Sequence, residues 1–163
     1  MTFRSMMATF PDISPGNDLP KLILSNPSGL PIPVIEAELE AIMSLIEEQE
    51  HIRFREIELV YVDEDHIIEV NKEYLDRDYV TDIISFRYDE DETNSTIEGT
   101  LFCCAPRIIE QSSEAETSIE SEFYRIFIHG LLHLAGYDDQ TKDDKETMTS
   151  LENSYLQQTG LDL

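Results

Sequence analysis

Three features of the sequence predict a single α+β (α/β) domain, a small mixed β-sheet of about four strands covered by about five helices. Short runs with a two-residue period are interspersed with longer runs at helical spacing, and two of the short runs lie close enough to form a hairpin. The 163 residues suffice for one core and are too few for two comfortable ones. From Phe123 to Ala135 nine of thirteen residues are apolar, so this helix has almost no face for water and must be central.

Six of the seven prolines (Pro11, Pro15, Pro20, Pro27, Pro31, Pro33) fall within the first 33 residues. Proline fixes φ and removes a backbone donor, so residues 1–20 are expected to form an extension and residues 21–163 the domain. The Leu22-Ile23-Leu24 run can serve as an edge strand. Ile35, Leu39, Ile42, Met43 and Ile46 recur at helical spacing and predict an amphipathic helix from Val34 to about Glu48. Glu56–Val62 alternates Ile57, Leu59 and Tyr61 against Glu56, Glu58 and Val60, the period of a strand with one face in the core. Asp63 can cap the next helix, on which Ile67, Val70 and Tyr74 share a face before Asp78.

Asp82–Tyr88 reads as a strand, Asp89–Ser95 as a turn and Thr100–Cys104 as the hairpin partner. Pro106 suits the first turn of a helix carrying Ile108 and Ile109. Thr117-Ser-Ile-Glu120 fits a capping box that starts the apolar helix. Met148, Leu151 and Tyr155 mark a last amphipathic helix that Gly160 stops. The sequence contains no internal repeat.

Eleven Lys and Arg against 35 Asp and Glu leave a net charge of −24. Such acidity reads as a solvation device, and it forbids binding phosphate by total charge, though not by a local basic groove. Seven cations (Arg53, Arg55, Lys72, Arg77, Arg87, Arg107, Arg125) lie mid-chain, where they can form that groove. Two adjacent cysteines, Cys103 and Cys104, exclude a disulfide framework and read as small buried hydrophobes on opposite strand faces. The N-terminus has no long apolar core before Pro11, and no run approaches a membrane span. A cytoplasmic protein with no membrane partner and no organic cofactor is expected.

Chemistry concentrates in HGLLHLAGYDD, residues 129–139. His129 and His133 are four apart, one above the other on a helix, and can share one metal ion. Gly136 can end that helix in the left-handed conformation and turn the chain so that Asp138 or Asp139 reaches the same ion. Three ligands with an open position describe a catalytic zinc site, whereas structural zinc is usually closed by four. The position of a zinc peptidase's general base is occupied by Gly130, which argues against that chemistry. The bland alternative is a pair of core histidines satisfied by backbone carbonyls, followed by an acidic cap. Glu122, seven residues before His129 and on nearly the same face, can orient an imidazole, act as a base, or merely favour the helix dipole. His51 and His66 are expected at the surface.

The 129–139 segment resembles H-G-x-L-H-L-x-G-Y-D-H, the motif of the YbeY-type endoribonucleases, metal-dependent enzymes of ribosomal RNA maturation. Asp139 stands where most members carry a third His. Asn71, Tyr74, Asp78, Thr81, Asp82, Ser85 and Phe86 are similar to the family's N-x-x-Y-R-x-x-D-x-P-T-D-x-L-S-F, with Leu75 in place of its Arg and Val80 in place of its Pro. A weaker block, Glu98–Cys103, is similar to the G-D-I-V-I strand, with Gly99 kept and Thr100 where Asp is usual. The resemblance covers roughly residues 22–157.

The resemblance implies a short mixed sheet under helices with a metal in a cleft. It further implies zinc on His129, His133 and Asp139, with Asp138 left as a turn acceptor. A carboxylate also makes Mn²⁺, Ni²⁺ or Fe²⁺ suitable occupants. The implied activity is single-strand endoribonucleolytic cleavage in 16S rRNA 3′ end maturation, rRNA processing and late-stage ribosome quality control, with ribosomal RNA and the small ribosomal subunit as partners. Arg77 is then the nearest substitute for the missing Arg, with Arg87 and Arg125 as helpers, so the expected catalytic set is His129, Arg77 and Glu122. Two other classes compete: a ribosome-assembly RNA-binding factor with a structural metal, and a metallohydrolase acting on a non-nucleic substrate.

Overall fold

The computed structural model describes residues 20–88 and 96–161. The expected N-terminal extension, save Pro20, and the expected turn at 89–95 lie outside the described residues. Strand β1 (Lys21–Ser25) is followed by α1 (Glu36–Glu50), β2 (Arg53–Val62), α2 (Glu64–Leu75), β3 (Ile83–Arg87), β4 (Thr96–Cys104), α3 (Ala105–Glu114), α4 (Ile119–Leu134) and α5 (Lys142–Thr159). These are the four strands and five helices that the periodicities predict, joined in one mixed sheet ordered β1-β2-β4-β3. β1 runs parallel to β2 and β2 to β4, while β3 returns antiparallel to β4 as the expected hairpin.

Both faces of the sheet are covered. Ile57, Leu59, Tyr61, Leu101 and Cys103 point to a large core shared with α1, α4 and α5. Val60, Val62, Ile84 and Cys104 point the other way, onto Ile67 and Val70 of α2. The one-sided alternation expected for residues 56–62 therefore gives way, at the end of β2, to a strand buried on both sides. Cys103 and Cys104 are buried on opposite faces, as neighbours on a strand must be.

Several boundaries move for identifiable reasons. β4 begins at Thr96, four residues earlier than its apolar run, because pairing with β2 satisfies the backbone of Thr96–Gly99, and β3 pairs on the other side from Gly99 onward. Ile35 is the N-cap of α1 and 59% exposed, so it leaves the apolar face assigned to it. Ser118, not Thr117, caps α4: its hydroxyl accepts from the Ser121 N–H at 3.0 Å. His51 is exposed, whereas His66 is half-buried with its ring 6.5 Å from that of Phe102.

α4 is central, as its composition requires, with eleven buried residues. Burial of each Leu or Ile here contributes roughly 1.5–3 kcal/mol. Two glycines permit its close approach to the sheet. A Cβ on Gly130 would lie 2.6 Å from Ile83 Cδ1, and one on Gly99 would lie 2.5 Å from the Phe86 carbonyl oxygen and 3.1 Å from Leu134. Gly130 thus sits at the sheet contact, and its neighbour His129 lines a cleft together with Ile83 and Ser85 of β3.

Candidate metal centre

The ends of α4 and α5 and the turn between them set the ligand geometry. α4 stops in a Schellman turn: Gly136 has φ +109°, its N–H donates to the His133 carbonyl, and the Tyr137 N–H donates to the Leu132 carbonyl. Thr141 starts α5, its hydroxyl accepting from the Asp144 N–H at 3.0 Å. Between them the turn is anchored to α1. Glu50 accepts from the Tyr137 hydroxyl at 2.6 Å and from the Tyr155 hydroxyl at 2.5 Å. The Glu50 hydrogen bond, with burial, pushes the Tyr137 phenol up to about 12. Asp139 lies two residues past this anchor.

His129, His133 and Asp139 converge, with one donor atom from each within 4.8 Å of the others. The two Nε2 atoms are 3.0 Å apart, and Asp139 Oδ2 is 3.5 Å from each. The centre of such a triangle is about 1.9 Å from each corner, close to the Zn–N and Zn–O bond length of about 2.0–2.2 Å, so the three side chains would hold a divalent ion. Two imidazole nitrogens and a carboxylate oxygen suit Zn²⁺ and the neighbouring transition metals. Asp138 takes the other role open to it: its carboxylate accepts from the Asp139 N–H at 2.7 Å, out toward solvent.

His129 is oriented by a residue that sequence reasoning missed. Its Nδ1 lies 2.6 Å from Glu152 Oε2, and Arg125 Nη1 donates to Glu152 Oε1 at 3.0 Å. A carboxylate accepts, so Nδ1 carries the proton and the Nε2 lone pair is turned toward the other two donors. Burial lowers the His129 pKa, but the Glu152 hydrogen bond and the charges of Glu152, Asp139 and Asp82 outweigh it and raise it overall. The same negative field attracts a cation. The signal was available: Glu152 falls between Met148 and Tyr155 on the buried stripe of α5, where an unexplained charge needs a partner.

The triad opens into a cleft of about 550 Å³, lined also by Asn71, Leu75, Arg77, Tyr79, Asp82 and Arg87. Arg77 is exposed there, and Arg87 Nη1 donates to the Leu134 carbonyl oxygen at 3.0 Å. Arg125 is held away by Glu152 and by Asn153 Oδ1, 2.7 Å from its Nη2. Glu122 lines a smaller adjoining cavity of about 280 Å³ together with Asp82, His129 and Asp139. It is buried, which raises its pKa against the opposing pull of Arg125, and it accepts a long hydrogen bond from Thr117.

Among known proteins, the family model described as endoribonuclease YbeY matches residues 29–160. The chain belongs to the YbeY endoribonuclease family. It is 32% identical over 120 residues to the endoribonuclease YbeY of Cytophaga hutchinsonii, covering 74% of this chain and 82% of that one. The Staphylococcus saprophyticus relative is 34% identical over 76% of this chain and 86% of its own. The Chlorobium luteolum relative is 42% identical over 63% and 73%. A solution structure of a Thermotoga maritima protein, 23% identical, shares the fold with a TM-score of 0.54 over 85% of this chain and 88% of that one. No helix among the described residues is long and apolar enough to cross a membrane. In this YbeY-family chain Leu75 and Arg77 both line the cleft, so an apolar and a cationic side chain share the approach to the triad.

Proposed function

We propose that this protein is a metal-dependent endoribonuclease that cleaves single-stranded segments of ribosomal RNA, acting with the small ribosomal subunit in the cytoplasm, in 16S rRNA 3′ end maturation and late-stage quality control. The observation that carries the reading is the meeting of His129, His133 and Asp139 in a cleft wide enough for a nucleotide. Zinc is the metal proposed, with Mn²⁺, Ni²⁺ and Fe²⁺ as alternatives that Asp139 favours. When bound, the ion would supply Lewis acidity toward water or a phosphoryl oxygen.

The chain's own residues take the remaining work. Arg77, exposed in the cleft, meets the scissile phosphate through its planar guanidinium. Glu152 holds the His129 ring and its tautomer. Glu122 accepts a proton by way of the smaller cavity, a role that its raised pKa suits. Tight anchoring of the Asp139 turn by Tyr137 and Glu50 keeps the third donor in place between turnovers.

Incubating the purified protein with structured ribosomal RNA, with and without a chelator and beside His129→Ala, tests the reading, with elemental analysis of the untreated protein identifying the metal. Internal cleavage that needs metal and disappears in His129→Ala is the expected result. Intact RNA together with unfolding in chelator would replace the enzyme by a binding factor with a structural metal. Absence of RNA affinity at every salt concentration would point to a non-nucleic substrate.

A further inference from the structure

We propose that the rim of the metal cleft is a docking site for an unpaired nucleobase, received against the ring of Tyr79 and the side chain of Leu75 next to the triad. The inference rests on the endoribonuclease reading and specifies which part of the RNA the protein grips.

Tyr79 is 51% exposed and Leu75 is 40% exposed, and both line the cleft that holds His129 and His133. Apolar and aromatic side chains gathered with a few polar groups in one cleft are what a flat apolar ligand face packs against. The segment that carries them is preset. α2 ends at Asp76 in the left-handed conformation, the Arg77 N–H donates to the Asn71 carbonyl, and the Asn71 side chain donates to the Tyr79 carbonyl at 2.9 Å. Asn71 is itself buried at 1% exposure, so its grip on Tyr79 is shielded from competing water. A platform ordered in advance gives up little freedom when a ligand stacks on it.

Charge decides in favour of a base over the backbone. The protein carries −24, and among the described residues the cations lining the cleft are Arg77 and Arg87, the latter already donating to Leu134. Two phosphate contacts on a single strand give a salt slope of only about −1.4, too few to hold RNA on an acidic body by counterion release. Stacking carries no charge and contributes roughly five- to hundredfold in affinity per base. A base inside a duplex already stacks on its neighbours and cannot lie on Tyr79, so the site selects unpaired strands.

The test uses the full-length protein and a short fluorescent 2′-O-methyl oligoadenylate, with binding read by anisotropy between about 50 and 200 mM salt. Tyr79→Ala should weaken binding about tenfold or more at every salt concentration without changing the slope, and Tyr79→Phe should stay within about twofold. An abasic strand of equal length and charge, and the same strand annealed to its complement, should bind the wild-type protein as weakly as the alanine variant binds the intact strand. Equal affinity for the intact, abasic and annealed strands, or a Tyr79→Ala protein that is folded and binds as wild type, overturns the inference. If ribosomal RNA is still cleaved in that case, only the docking site falls. If neither binding nor cleavage occurs, the endoribonuclease reading falls with it.

Discussion

One part of the cleft lining, from α4 and the turn to α5, holds His129 and Asp139 by several independent restraints, whereas the other, residues 75–82, is held mainly at its two ends, by Asn71 and by the Cys104 N–H that donates to the Asp82 carbonyl. His129 is fixed by the packing of α4 on the sheet, by Glu152 and, behind that, by Arg125. Asp139 is fixed by the Schellman turn on one side, by the Thr141 cap on the other and by Glu50 through Tyr137. Tyr79, in contrast, is tied to the body by the Asn71 side chain. A metal site would need donors placed within tenths of an ångström before the ion arrives, while a platform that receives a base needs only its backbone preset. The contrast is therefore one of redundancy: the candidate ligands are held from several elements, the approach from fewer points.

The largest effect should come from cutting one restraint on the more heavily restrained side. Glu152→Ala leaves His129 free to rotate and to take the wrong tautomer, and should weaken metal affinity about 10- to 100-fold in a competitive chelator titration. If affinity is unchanged, the ring is held by packing alone and the two regions are less different than they look. Asn71→Ala comes next. Losing a buried donor leaves the Tyr79 carbonyl unsatisfied and should cost about 1–3 kcal/mol of stability in a denaturant titration. It should raise KM for RNA while the metal affinity stays at the wild-type value, a split that a general loss of folding would not produce. The smallest effect is expected within the ligand turn itself. Asp138→Ala should change stability by about 0.5 kcal/mol or less and leave metal affinity intact, because Asp138 serves only a local backbone N–H at an exposed position. A loss of metal in that variant would move the third ligand from Asp139 to Asp138.

Much of the ligand side is legible in the sequence because its logic is local. Two histidines four apart on an apolar helix, a glycine able to adopt positive φ and a carboxylate just beyond it are all read from neighbours within a single turn or two. What separates Asp138 from Asp139 is visible only in space: one carboxylate turns back on its own turn, and the other lies 3.5 Å from the His133 imidazole. Glu122 and Glu152 show the limit. Both are buried acids near His129, and helical spacing favours Glu122, yet the hydrogen bond to the ring comes from Glu152, 23 residues further along the chain on another helix. Arg125 likewise reads as a free mid-chain cation, although its charge is spent on Glu152 and Asn153. β4 is underestimated for a related reason: Thr96 to Gly99 lack the apolar run that marks the strand beyond them, and pairing with β2 makes them part of it.

The sequence by itself determined the order and kind of the elements, the central place of α4 and the chemistry of the three donors. These follow from hydrogen bonding and side-chain direction over a few residues, which composition and spacing record directly. Tertiary structure alone decided that Glu152 steadies His129, that Glu50 anchors the turn bearing Asp139, and that Leu75, Arg77 and Tyr79 share a cleft with the histidines. Such pairings depend on how α5, α1 and the segment after α2 bury their apolar faces against α4 and the sheet, and no periodicity within any one element encodes which distant surface it will meet.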